Sequence, residues 1–162
     1  MQHKFVHQFV FCLALIFLFG AFVQGVKAQG NVPIDGSIGN GKLQRGKTAT
    51  VTIVMNIPGG LHVNSSRPLS QYAIPTKISV NGAGLKLGAI RYPRGTTKKF
   101  SFSEEQISVY EGRTVFSFPI TIPANFKGNV AKVRATINYQ SCTDEVCYRP
   151  RNEEITLSAA VR

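Results

Sequence analysis

Polar and apolar residues alternate with a period of two over most of the chain beyond residue 48. Along Ala49 to Ile57 (ATVTIVMNI), Ala49, Val51, Ile53, Met55 and Ile57 fall on one face and Thr50, Thr52, Val54 and Asn56 on the other, the pattern of a half-buried strand. Pro58-Gly59-Gly60 stops it. Ile74, Thr76, Ile78 and Val80 alternate with Lys77 and Ser79, and Asn81-Gly82 follows as a hairpin signal into a third strand at Leu85 to Tyr92. Farther on, Thr114 to Ile122 aligns Phe116, Phe118, Ile120 and Ile122, with Pro119 pointing to an edge position or a bulge. After a turn at Lys127-Gly128-Asn129, Val133, Ala135, Ile137 and Tyr139 share one face, and Ile155, Leu157, Ala159 and Val161 share another. These last two strands are expected to be neighbours.

Helix is minor. No window of a dozen residues after the N-terminal segment keeps apolar residues at helical spacing, and the nearest approach is Ser103-Glu104-Glu105-Gln106, where Ser103 could cap a single turn. About seven short strands separated by Gly, Pro and Asn predict an all-β fold, an immunoglobulin-like antiparallel β-sandwich. The chain has no Trp, and no cysteine pair is spaced to bridge two sheets, so the marks of an antibody domain are absent and the likeness is to the architecture.

The first residues follow a different pattern. Lys4 precedes an apolar run from Phe9 to Val23, and Val26-Lys27-Ala28 places small residues before Gln29, the layout of a secretory signal peptide over residues 1–28. The run is shorter than the roughly 18 to 20 residues that a membrane span needs. Residues 29–162 then form one exported domain of 162 − 28 = 134 residues. Cys12 lies inside the apolar run and leaves with it.

Nineteen Lys and Arg against eight Asp and Glu give a formal charge of +11, and losing Lys4 and Lys27 leaves 17 − 8 = +9. The charges are scattered, as in Lys98-Lys99, Arg91 and Arg94, or Arg149 and Arg151. Without a basic stripe, nucleic acid is not an expected partner, and the excess implies steering toward acidic surfaces. Oligomeric state has no signal in the sequence.

The chemistry concentrates in YQSCTDEVCYRPR, Tyr139 to Arg151, where Cys142 and Cys147 lie in the connection between the last two strands. A bond between them would close a ring of about six residues, constraining the unfolded chain by only about 2 kcal/mol. A short disulfide exposed at a hairpin tip is also within reach of a partner thiolate. Asp144 and Glu145 are expected to raise thiol pKa values and Arg149 and Arg151 to lower them, so local charge leaves the direction open. The residues alone leave open a redox pair, a structural staple in a non-catalytic binding or assembly module, and a copper(I) site on two thiolates, with His62 a further candidate ligand. Otherwise His62, beside Pro58-Gly59-Gly60, reads as a turn or satisfied polar residue. Tyr139 is expected on the core face, and Gln140 to order the loop by hydrogen bonding. Asn64-Ser65-Ser66 matches a glycosylation acceptor pattern.

The run Tyr139-Gln140-Ser141-Cys142-Thr143-Asp144-Glu145-Val146-Cys147-Tyr148-Arg149-Pro150 resembles the active-site motif of the N-terminal periplasmic domain of the thiol:disulfide interchange protein DsbD. Upstream, Gly60-Leu61-His62-Val63-Asn64-Ser65-Ser66-Arg67-Pro68-Leu69 with Ile74-Pro75-Thr76 is similar to that family's early segment, so the resemblance spans about Gly46 to Val161. It implies an immunoglobulin-like sandwich that takes electrons from a thioredoxin-like protein or membrane electron transporter and passes them to oxidised periplasmic proteins. It also implies a dithiol and disulfide cycle without metal or organic cofactor, in which Cys147 makes the mixed disulfide and Cys142 resolves it. Tyr139, Gln140, Asp144, Glu145 and Tyr148 would support the loop. The family's cap loop carries an aromatic residue, for which Phe100, Phe102 and Tyr110 are the candidates. Enterobacterial members have one more residue between the cysteines, and Arg149 stands where they have the first of two prolines. The family's membrane and thioredoxin-like domains are not in this sequence, so a separate partner is expected to supply electrons.

Overall fold

The computed structural model describes residues 30–162; the expected leader, its cleavage point before Gln29 and Cys12 lie outside the described residues. Among the described residues the regular structure is entirely strand: β1 (Ile34–Ile38), β2 (Lys42–Leu43), β3 (Thr48–Asn56), β4 (His62–Asn64), β5 (Lys77–Asn81), β6 (Lys86–Leu87), β7 (Thr96–Lys99), β8 (Gln106–Tyr110), β9 (Arg113–Thr121), β10 (Val130–Tyr139), β11 (Ser141–Cys142) and β12 (Arg151–Val161). Two four-stranded sheets, ordered β1-β3-β9-β6 and β2-β12-β10-β5, face each other across one core. The fold is the immunoglobulin-like β-sandwich that the alternation predicts. A third sheet, β11-β4-β8-β7, carries the cysteines.

The period-two faces form the core. Val51, Ile53 and Met55 of β3, Phe116, Phe118 and Ile120 of β9, and Val133, Ala135, Ile137 and Tyr139 of β10 are all buried. The last two long strands pair antiparallel from Val130↔Ala160 to Tyr139↔Arg151, so the residue after Tyr139 leaves this sheet and the chain returns at Arg151. The cysteine segment is the excursion between them.

Asn81-Gly82 does not make a hairpin. β5 pairs with β10 in one sheet and β6 with β9 in the other, so the chain crosses between sheets at this turn, where the Leu85 N–H donates to the Gly82 carbonyl at 3.1 Å. Two flanking strands make a hairpin only if each finds its best partner in the other; here the longer β10 and β9 take them. The strand expected over Leu85 to Tyr92 is correspondingly reduced to β6 and a bridge between Arg91 and Ser117.

Pro119 is tolerated in the interior strand β9, which pairs with both β3 and β6, because its missing donor faces the point where β6 ends. Its carbonyl accepts from the Gly88 N–H at 2.8 Å, and a Cβ on Gly88 would lie 2.6 Å from the proline Cγ. The glycine is therefore the device that lets the proline stay. Ser103 caps no helix: its hydroxyl donates to the Glu105 carbonyl at 2.9 Å, within the tip between β7 and β8.

Candidate active site

The strand β11 is short because Cys142 turns back on itself. The Thr143 N–H donates to the Val146 carbonyl at 2.8 Å, while the Thr143 hydroxyl oxygen accepts from the N–H groups of Glu145 (3.2 Å) and Val146 (3.1 Å). This serves as a local side-chain cap for the turn. Asp144 and Glu145 are thereby held at its exposed apex. The turn brings Cys147 opposite Cys142 in a bridge, and the two sulfurs are bonded.

The base of the turn is anchored by side chains. The Gln140 amide donates to the Tyr148 carbonyl at 3.0 Å and its oxygen accepts from the Asn64 amide at 3.3 Å, joining the cysteine segment to β4. The Ser141 hydroxyl donates to the Gly30 carbonyl at 2.6 Å. Tyr148 packs so tightly against Gly30, which has φ +76°, that a Cβ there would lie 2.6 Å from its ring. The Tyr139 hydroxyl oxygen accepts from the Val32 N–H at 3.2 Å, and burial pushes this phenol's pKa up from its ordinary value.

The two sulfurs have different environments. Cys142 has no exposed surface, whereas Cys147 is partly exposed and lines a cleft of about 550 Å³ together with Asn64, Tyr72, Phe102, Glu104 and Gln140. In the antiparallel pairing of β11 and β4, Cys142 stands directly opposite His62. The His62 ring is 1% exposed and stacks on Phe100 with centroids 4.1 Å apart; Phe102, near-parallel to both, lies 5.3 Å from Phe100 and 6.4 Å from His62. Both phenylalanines belong to the tip between β7 and β8, which is tied to the turn by the Ser101 hydroxyl donating to the Asp144 carbonyl at 2.9 Å.

His62 Nδ1 is 4.0 Å from the Asp144 carboxylate, and Nε2 has no hydrogen-bond partner. Burial lowers the imidazole pKa; Asp144 and Glu111 oppose this, and Lys98 reinforces it. Local charge also runs against the global charge. Of the eight acidic residues, Glu104 and Glu105 sit on the cleft wall and Asp144 and Glu145 on the turn, giving a basic protein an acidic rim around its accessible sulfur.

The family model for the N-terminal domain of the thiol:disulfide interchange protein DsbD matches residues 39–159. The chain belongs to this family. Among solved structures it is similar to the reduced N-terminal domain of Neisseria meningitidis DsbD, with 22% identity, 81% of this chain and 86% of that chain covered, and a TM-score of 0.47. The N-terminal periplasmic domain of ScsB from Proteus mirabilis is similar at 9% identity over 80% of this chain and 45% of that one, TM-score 0.47. So is a type I cohesin from Pseudobacteroides cellulosolvens, at 12% identity over 80% and 92%, TM-score 0.43. A comparison with curated protein sequences returned no match.

Within this member of the DsbD N-terminal family, the structure gathers Cys142, Cys147, Gln140, Asp144, Glu145, Tyr148, Phe100 and Phe102 in one place. Tyr110 does not join them. Its ring packs edge-on against Phe116, 5.5 Å away, and its hydroxyl donates to the Pro93 carbonyl at 3.2 Å, making it a core residue at the far end of β8. The disulfide is not exposed as a whole: Cys142, paired with β4, is fully buried. His62 is no turn residue either: β4 begins at it and carries it into the site. Asn64 is 2% exposed and bonded to Gln140, which removes it as a glycosylation acceptor. The signal for both was present in Leu61-His62-Val63-Asn64, a short segment after a glycine turn, but only pairing with β11 gives it meaning.

Proposed function

We propose that the domain is an exported thiol-disulfide relay of the protein-disulfide reductase type. It passes reducing equivalents from a thioredoxin-like protein or membrane electron transporter to oxidised periplasmic proteins through Cys142 and Cys147. The supporting observation is the asymmetry of the disulfide: Cys147 lies on the wall of an open cleft and Cys142 is wholly buried. An incoming thiolate needs access to the sulfur it attacks, so Cys147 forms the mixed disulfide and Cys142 resolves it. Phe100 and Phe102 act as the cap. The family's exported setting supports cleavage of residues 1–28 after Ala28.

A trap tests the reading. Cys142→Ser should accumulate a mixed disulfide with a thioredoxin-like partner on non-reducing gels, and Cys147→Ser should accumulate none; the reverse pattern, or no adduct from either, overturns it. The reduction potential gives a second check. A value near or above about −270 mV lets a thioredoxin-like donor reduce the pair, whereas one well below about −300 mV marks a structural bond.

A further inference from the structure

Two facts about His62 are not accounted for by the relay as stated. It is an ionisable side chain with almost no exposed surface, and among the described residues its Nε2 is the buried side-chain nitrogen or oxygen without a hydrogen-bond partner. Such an atom has lost its water and gained no partner in return, and it calls for a reason. His62 is also the cross-strand partner of Cys142. Directly opposed residues of an antiparallel pair project from the same face with Cα atoms about 4.5–5.5 Å apart, so the imidazole and the buried sulfur are side-chain neighbours.

We propose that His62 Nε2 is the proton acceptor for the Cys142 thiol. In the disulfide form described here Cys142 has no proton to donate and Nε2 stands alone; in the dithiol form the S–H supplies the missing partner. The tautomer, assigned from the position of the carboxylate, has Nδ1–H turned toward Asp144 and the lone pair at Nε2. The inference rests on the relay reading, and adds to it a group that acts on the resolving sulfur.

The step balances. Cys147 thiolate attacks a substrate disulfide, forms the mixed disulfide and releases the first substrate thiolate. Cys142 then transfers its proton to His62 Nε2 as its sulfur attacks the Cys147 sulfur. The Cys142–Cys147 bond forms, the bond from Cys147 to the substrate breaks, and the second substrate thiolate leaves with the electron pair. The cysteine pair is oxidised and the substrate reduced. In the opposite direction a donor thiol yields its proton to His62 Nε2 as its sulfur attacks Cys147, and the Cys142 sulfur takes that proton from Nε2 as it leaves. A thiolate in a wholly buried site is disfavoured by desolvation, which is why this sulfur, rather than Cys147, needs a proton carrier.

The charges facing His62 are Asp144 from the cysteine turn, Glu111 beyond β8 and Lys98 on β7. Lys98 and Glu111 are paired with each other at 2.6 Å and offset one another, leaving the Asp144 carboxylate to stabilise the imidazolium as it forms. Burial holds the resting ring neutral near pH 7, which keeps Nε2 available as a base.

The test uses the exported chain, reduced, mixed with one equivalent of 5,5′-dithiobis(2-nitrobenzoate) and followed by stopped flow. Attack by Cys147 releases the first thionitrobenzoate and resolution by Cys142 the second. His62→Phe, which keeps a ring to stack on Phe100, should leave the first phase within about twofold and slow the second by at least about tenfold at pH 7, since positioned bases contribute on the order of 10² or more. The wild-type second phase should rise with pH as the imidazole loses its proton, and the variant should lack that rise. His62→Gln should behave as His62→Phe, and replaces it if His62→Phe does not fold. A second phase within twofold of wild type across pH 5–8, or equal slowing of both phases, overturns the assignment. Absence of a first phase in the wild type overturns the relay reading itself.

Discussion

In the long sandwich strands β3, β9, β10 and β12, the buried positions are Val, Ile, Met, Phe, Ala, Leu and Tyr, and Thr114 is the only buried polar residue among them. In the third sheet the buried positions include His62, Asn64, Ser108 and Ser141, with Ser65 and Thr76 alongside. The sandwich needs only complementary shape to gain stability. Each buried polar group of the third sheet needs a partner in a definite direction: Asn64 finds Gln140, Ser141 finds the Gly30 carbonyl, and the Thr76 hydroxyl donates to the Asn64 carbonyl at 2.6 Å. The first region therefore supplies stability and the second supplies placement, and His62 Nε2 is the exception that marks where chemistry takes precedence over satisfaction.

Four measurements break or sharpen this contrast. The largest effect is expected in the sandwich: Phe118→Ala, at a position 1% exposed, should lower the free energy of unfolding by about 3–5 kcal/mol in denaturant titrations. A loss under about 1 kcal/mol would mean that the core does not carry the fold. Next, reducing the disulfide should cost only about 2 kcal/mol, because the ring it closes spans a sequence separation of 5. Unfolding at ambient temperature on reduction would make the cysteines a staple and erase the division of labour.

A smaller effect is set by pH. Burial holds the folded-state pKa of His62 below the ordinary imidazole value of 6.5, so on acidification the unfolded chain takes up the proton first. Its contribution to stability is whole above pH 6.5 and is lost as pH falls through that value toward the folded pKa. The wild-type denaturation midpoint should drop between pH 7.5 and 5 by more than that of His62→Gln; equal drops would show that the imidazole titrates alike in both states. The smallest change in stability, within about 0.5 kcal/mol, is expected for Glu104→Lys with Glu105→Lys. The same pair should slow exchange with a partner whose reactive face is basic, an effect that vanishes at high salt. An unchanged rate at low ionic strength would show that the rim does not meet the partner.

Much of the sandwich was legible in the sequence because alternation is a local property. The apolar residues aligned by their spacing in β3, β9, β10 and β12 face inward, with Val54 on the opposite face of β3 buried as well, and the neighbouring of β10 and β12 follows from the short excursion between them. Partner choice was less legible. Asn81-Gly82 has the chemistry of a hairpin turn and becomes a crossing between sheets, since competition from β9 and β10 is not written in the turn. Among the aromatic candidates for the cap, Phe100, Phe102 and Tyr110 look alike in sequence, yet the first two stack on His62 and the third enters the core, because the tip of the β7–β8 hairpin and the end of β8 lie on different neighbours.

By itself the sequence determined the all-β class, the inward faces of the long strands and the segment that holds the cysteines, since each depends on residues within a few positions of one another. Tertiary structure alone decided that Cys142 is buried while Cys147 opens onto a cleft, that an acidic rim surrounds the accessible sulfur of a basic chain, and that His62 stands opposite Cys142. The residues involved are 80 apart along the chain in the last case (142 − 62). What brings them together is the register of β4 against β11, and that register is set by the free energy of the whole packed domain rather than by any local pattern.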